Sequence, residues 1–213
     1  MDGQHLIYFS DPMCSWCWGF SPTIEAIDAA FGERLPIRLI MGGLRPGTTE
    51  PMSEEAKARS REHWGQVHEA SGQPFDKGGF DREGFVYDTD PAARAVVLAR
   101  RQGMEVGLAY LRAVQRAFYA RNLDVTSPEV LADLAGEAAL DREAFITDFA
   151  ADDLKQETWR DYALSQRAGV TGFPTLIVGP RSDGAYEAVT RGFQGSERIL
   201  PALQGWLASA GAA

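Results

Sequence analysis

Two cysteines, Cys14 and Cys17, stand three positions apart in Asp11-Pro-Met-Cys-Ser-Trp-Cys-Trp18, and they are the only two among 213 residues. A single pair cannot build a disulfide framework, so the fold must rest on its apolar core and the thiols are available for chemistry. That chemistry is thiol–disulfide exchange if one sulfur ionises. The thiolate is the attacking species, and a free cysteine, with a pKa of about 8.5, is mostly protonated at neutral pH. The run His5-Leu-Ile-Tyr-Phe-Ser10 ahead of the pair reads as a buried strand that Asp11-Pro12 ends. Beyond it, Phe20, Ile24, Ile27 and Phe31 recur at helical spacing. Cys14 therefore falls at a helix N-terminus, where unpaired N–H groups and the helix dipole favour an anion, and it is the expected nucleophile. Cys17, one turn further in and more shielded, is the expected resolving thiol. Positions i and i+3 lie about 5–6 Å apart, within reach of a disulfide.

Other readings of the pair stay open at this point. Cys-x-x-Cys is also half of a zinc site, but tetrahedral zinc needs two further ligands. The histidines are His5, His63 and His68, and the last two lie about 140° apart around a helix, so they share no face. No metal site is expected. Two structural thiols are the remaining alternative.

The elements that must position the pair can be read along the chain. Pro22 falls inside the first helix and should kink it. Pro36-Ile-Arg-Leu-Ile-Met41 is a second strand closed by Gly42-Gly43, so residues 5–41 make a parallel βαβ unit with a right-handed crossover. After Arg45–Pro51 the chain turns helical. One helix is expected from Glu54 to about Ser71, followed by a Gly/Pro-rich loop to Gly84. Another is capped at Asp90-Pro91 and runs to about Arg101. Leu108, Leu111, Val114 and Phe118 mark a longer helix, Ser127-Pro128 and Asp141 start two more, and a last one covers roughly 153–168. Strands return at 174–178 and 186–191 around the turn Arg181–Gly184. A final amphipathic helix runs from Ser196 with Ile199, Leu203 and Trp206 facing inward. The expected organisation is a first α/β part at 1–46, a helical insertion at 47–165 and a second α/β part at 166–213. The two flanks together have the size of one small domain.

Composition narrows the function. The chain carries 21 basic against 30 acidic residues, a formal charge of −9, and is 45% hydrophobic and 24% charged, the balance of a soluble globular protein. Only Lys57, Lys77 and Lys155 are lysines and the arginines are scattered, so a general nucleic-acid or anionic-membrane binder is not expected. With no basic leader and no apolar run of about 18–20 residues, the expected location is cytoplasmic.

A second chemical element is Gly169-Val-Thr-Gly-Phe-Pro-Thr175. A proline opening a strand cannot donate to the ladder. If the Phe173–Pro174 bond is cis, the chain turns sharply and its peptide groups can face a neighbouring groove, where a bound peptide could pair with them. An ordinary trans proline is the reading that base frequency favours.

Taken together, the strand leading into Cys14-x-x-Cys17, the in-helix Pro22, the helical block after the second strand and Gly172-Phe-Pro-Thr175 resemble the thioredoxin superfamily and its DsbA-like family. Asp11–Trp18, Gly42–Gly47 and Gln115–Tyr119 are similar to the FrnE-like cytosolic protein disulfide isomerases. The resemblance covers nearly the whole chain. It implies an α/β, thioredoxin-like fold with an all-helical insertion after the second strand, in which Cys14 attacks, Cys17 resolves and Pro174 is cis beside them. It implies no cofactor beyond the redox-active disulfide, with glutathione open as a co-substrate. The sequence departs from the family in three places. Tyr8 stands six residues before Cys14, where many relatives carry a buried carboxylate, and Asp11 is expected in the loop instead. Ser15-Trp16 matches neither Gly-Pro nor Pro-His, so no redox potential carries over. No second cysteine pair follows near the C-terminus.

The expected function is that of a dithiol–disulfide oxidoreductase or isomerase acting on protein or small-molecule thiols and disulfides. Trp16, Phe173 and Pro174 are the expected substrate-binding residues. The resemblance also leaves a glutathione-dependent isomerase or transferase of the 2-hydroxychromene-2-carboxylate isomerase or kappa-class type, and a non-catalytic peptide-binding module. Trp18 and Trp64 are further candidates for an apolar rim, although core is the commoner place for such aromatics. Arg45 is a candidate for a substrate carboxylate, while His63 and His68 are weighed against a solvated helix face. Gly42-Gly43 is read as a strand-end turn, and Asp88 and Asp90 as turn and cap.

Overall fold

The computed structural model describes residues 3–210. β1 (His5–Ser10) and β2 (Ile37–Met41) pair in parallel from Leu6–Ile37 to Ser10–Met41. The crossover between them is α1 (Ser15–Phe31), which buries Phe20, Ile24, Ile27 and Phe31 and continues through Pro22. Late in the chain β3 (Thr175–Gly179) runs antiparallel to β1, and β4 (Glu187–Arg191) antiparallel to β3. The strand order is therefore β2-β1-β3-β4. β1 is held by a ladder on each side, so the loop leaving its C-terminal end is anchored to the most constrained strand of the sheet.

Between β2 and β3 the chain is helical: α2 (Glu54–Ser71), α3 (Asp90–Arg100), α4 (Met104–Ala120), α5 (Pro128–Glu137), α6 (Arg142–Phe149) and α7 (Asp152–Arg167). Side-chain oxygens of Ser53, Ser127 and Asp141 accept from the N–H groups of Ala56, Val130 and Ala144, so three of these helices start on caps written in the sequence. α8 (Ser196–Ala210) then returns against α1 and β4. This is an α/β sheet interrupted after its second strand by an all-helical block. One apolar core runs through both, from Leu6 and Leu176 in the sheet to Val114 and Leu131 in the helices.

The helical block also closes the edge of the sheet. β2 is an edge strand whose unpaired backbone would otherwise invite another chain. Asp161 of α7 accepts from Met41 N–H at 2.9 Å, and Arg100 of α3 donates to Leu39 C=O at 2.6 Å and to Asp161 at 2.7 Å. The ion pair is itself largely buried and hydrogen-bonded on both sides, the condition under which a buried charge is tolerated.

Local differences from the sequence reading have simple causes. α3 has Thr89, not Asp90, in its cap position, because Asp90 turns inward to accept from Tyr162 Oη at 3.2 Å. The segment after α2 contains a 3-10 turn, Lys77–Asp81, where only loop was expected. Asp76 accepts from Gly78 N–H there, and Phe80 is drawn into the core. A cis peptide, Gly179–Pro180, ends β3.

Candidate functional site

Cys14 occupies the N-cap of α1 in extended backbone, φ −89° and ψ 115°, and its carbonyl accepts from Cys17 and Trp18 N–H at 3.0 and 3.1 Å. Both thiols are free. Cys14 is 7% exposed and Cys17 0%, so a substrate can reach only the first. The Cys14 thiol donates to the Phe173 carbonyl at 3.5 Å, and the Phe173–Pro174 peptide is cis. The two chemical elements of the sequence, 159 residues apart, therefore meet at one sulfur.

Cys17 faces the interior. Burial pushes its thiol well above the ordinary range, the neighbouring Cys14 adds to this, and the Ser10 hydroxyl and Asp11 backbone N–H oppose it. Tyr8, six residues before Cys14, is buried and held neutral by burial first and the adjacent Cys17 second. Ser10 donates to Tyr8 Oη at 3.1 Å. The buried thiol is thus surrounded by neutral donors rather than by an acid. Positions 8 and 10 share one face of a strand, a spacing that could have flagged Ser10 beside Tyr8.

Asp11 lies in the loop, fully buried, and braces the site. Its carboxylate accepts from Met13 N–H at 2.9 Å and Leu44 N–H at 2.8 Å, tying the cysteine loop to the segment after β2. Burial raises its pKa from 3.8 to about 6 despite those bonds. The folded chain therefore holds a proton that the unfolded chain has released between these pH values. Stability from this group is full below about pH 4 and is lost as pH rises through 6, by about 3 kcal/mol. Asp11→Asn cannot ionise. The stability gap between variant and wild type is expected to move in the variant's favour by that amount from pH 4 to 7 in urea melts, and a pH-independent gap would contradict it.

Cys14 opens into a cleft of about 480 Å3, within the range of small-ligand sites. Trp16 stands half-buried at its edge, 5.5 Å from the Phe193 ring and 5.7 Å from His63. Phe173 forms the facing wall, Pro174 is buried behind it, and Arg45 and His63 also line the cleft. Gly42 has a packing reason beyond the turn, since a Cβ there would sit 2.1 Å from the Phe173 ring. Gly43 does take the turn conformation, φ +73°.

Of the two further aromatic candidates, both belong to the core. Trp18 is not a rim residue. It is buried, stacked 6.4 Å from Tyr119, and its indole N–H donates to Pro74 C=O at 3.0 Å. Trp64 is core as well, wedged among Phe80, Phe118 and Tyr119, and reaches the cleft only as its floor. Of the histidines, His63 faces the cleft, whereas exposed His68 bonds Gln73 C=O at 2.7 Å near the end of α2. Asp88 accepts from Gly47 and Asp90 N–H, a turn function. Sequence reasoning missed Tyr87, which donates to Met13 C=O at 2.5 Å and lies under Arg45 at 5.3 Å. It comes from the loop before α3, and nothing local announces it. Among the described residues no cluster of three or more His, Cys, Asp or Glu side chains is placed to hold a metal, and no helix is long and apolar enough to cross a membrane.

Comparison with known proteins agrees with this geometry. The family described as Thioredoxin matches residues 8–195. A candidate protein disulfide isomerase from Nitrosomonas europaea is 34% identical, superposes with a TM-score of 0.89, and is matched over 98% of this chain and 99% of its own. The cytosolic disulfide reductase DsbM from Pseudomonas aeruginosa, also solved with GSH, is 28% identical with a TM-score of 0.77, over 97% of this chain and 100% of its own. Among curated proteins, the ClpXP adapter protein SpxH of Halalkalibacterium halodurans is 26% identical over 79% of this chain. The match takes in 56% of that protein, so the chain spans little more than half the length of such relatives.

Proposed function

This chain belongs to the thioredoxin superfamily, in its DsbA-like family, and from that membership we propose that it is a dithiol–disulfide oxidoreductase driven by glutathione. The observation that carries the proposal is the arrangement of the two thiols: Cys14 at a helix N-terminus facing a cleft, Cys17 sealed one turn behind it.

The reduced chain starts the cycle. The Cys14 sulfur attacks one sulfur of a substrate disulfide, the substrate S–S bond breaks, and the departing thiolate takes up a proton. Cys17 then loses its proton and attacks Cys14 Sγ. The mixed disulfide breaks, the second substrate thiol leaves, and the Cys14–Cys17 disulfide holds the oxidation. The substrate has gained two electrons and two protons. Two glutathione thiols return them to the pair and leave as glutathione disulfide. Trp16 and Phe173 bound the approach to Cys14, and the Phe173 carbonyl beside its sulfur is a backbone acceptor on which an extended substrate can lie. The likeness to a cytosolic reductase supports a reducing direction and a cytosolic place of work, where glutathione keeps thiols reduced.

Similarity to adapter proteins favours a second reading, in which the cleft binds a partner protein and the thiols are incidental. Turnover separates the two. Wild type is expected to catalyse glutathione-dependent reduction of a model disulfide. Partner binding that survives loss of both cysteines, with no turnover in wild type, would overturn the oxidoreductase assignment.

A further inference from the structure

The charge around Cys14 runs against that of the chain. The protein has 30 acidic residues and a formal charge of −9, yet the cleft is lined by Arg45 and Arg59 and by no Asp or Glu. Much of the arginine elsewhere is neutralised: Arg61 on Asp81, Arg112 on Glu25, Arg121 on Glu137 and Arg181 on Glu187. Among the described residues no carboxylate lies within ion-pair distance of Arg45 or Arg59. Both are exposed at the mouth that opens on the attacking sulfur.

Arg45 is held there by more than its own chain. Its N–H donates to Thr89 Oγ1 at 3.0 Å and its carbonyl accepts from Thr89 N–H at 3.3 Å, fixing the backbone. Its guanidinium lies 5.3 Å from the centre of the Tyr87 ring, and the same Tyr87 bonds the residue before Cys14. The cation and the nucleophile loop thus share one support. Arg59 comes from α2, one turn before His63, so the helix presents both to the cleft.

Resting on the oxidoreductase reading, we propose that Arg45 and Arg59 form a carboxylate clamp that seats a small acidic thiol on Cys14, in the mixed disulfide through which the pair is re-reduced and which attack of Cys14 on that thiol's own disulfide also forms. Two cations at one mouth suit a substrate with carboxylates on both sides of its sulfur, as a short γ-glutamyl peptide thiol such as glutathione has. Guanidinium groups bind carboxylates through paired N–H donors, and the field of the mouth speeds the encounter.

The test compares reduced wild type with Arg45→Gln, Arg59→Gln and the double variant. The readout is the ratio of second-order rate constants for oxidised glutathione and for uncharged bis(2-hydroxyethyl) disulfide. The ratio cancels effects on folding and on the thiol itself. Each substitution is expected to lower it about fivefold, with the two multiplying. In wild type the ratio should fall as salt rises, since the mouth is solvent-exposed. Arg45→Lys should recover part of the loss. A ratio indifferent to both arginines overturns the clamp and leaves the oxidoreductase intact, whereas a wild type inert toward both disulfides overturns both. Preference for a disulfide within an acidic peptide over oxidised glutathione would overturn the small-thiol assignment.

Discussion

Cys17→Ser is expected to leave a chain that attacks disulfides and cannot release them. Cys14 keeps its helix N-terminus and its cleft, so the first exchange proceeds. The second needs a sulfur one turn below, and in wild type that group is fully buried beside Ser10 and Tyr8 and next to Cys14. Holding the resolving thiol there makes release intramolecular, an advantage worth many orders of magnitude in effective concentration. With serine in its place, only external thiol can resolve the adduct. Turnover at millimolar glutathione should fall about a hundredfold or more, and intact mass should report a persistent 1:1 mixed disulfide on Cys14. Serine at 17 still meets the neutral donors around it, so the fold should persist. Full turnover in this variant would favour single-thiol, glutathione-type chemistry.

Cys14→Ser carries the other large effect. Its hydroxyl would occupy the same N-cap, an arrangement helices favour, so stability should stay level or improve slightly. Activity should not survive. A serine hydroxyl stays protonated where a thiol ionises, and the remaining Cys17 is inaccessible, with its thiol pushed up by burial. Disulfide turnover should drop by about a thousandfold or more, with no adduct formed on Cys17. Disulfide assays alongside thermal melts would separate chemistry from folding, and residual activity above a few per cent would place the nucleophile elsewhere.

The parts of this site that the sequence disclosed are those written locally. Cys14 and Cys17 declare themselves by spacing, β1 and α1 by hydrophobic period, and the interrupted sheet by a helical block between strand-like runs. What the sequence leaves open shares one cause, contacts between distant segments. Trp18 sits next to the motif, and its position alone does not decide between rim and core. Which face of α1 it takes depends on α2 and α4 packing over it, and Tyr119 and Pro74 draw it inward. Tyr87 and Arg59 belong to the cleft because the helical block folds them over it, and their own neighbours in sequence give no sign of this. Asp11 looked like a loop residue and is one. That it is buried, and clasps Leu44 33 residues away, follows from the parallel pairing that brings the ends of β1 and β2 side by side. The helical angle parts His63 from His68, but that His63 lines the cleft, where a solvated helix face is the sequence reading, depends on the distant Trp16 beside it.

Cys14 and Cys17 should behave as one redox couple when equilibrated in glutathione buffers of graded oxidation, quenched by alkylation and read by intact mass. Both thiols are expected to disappear together in a single two-electron transition to a Cys14–Cys17 disulfide, with glutathione adducts only transient. If Cys14 instead carries glutathione across the series while Cys17 stays free to alkylate after unfolding, the pair is not a couple and the dithiol assignment is wrong.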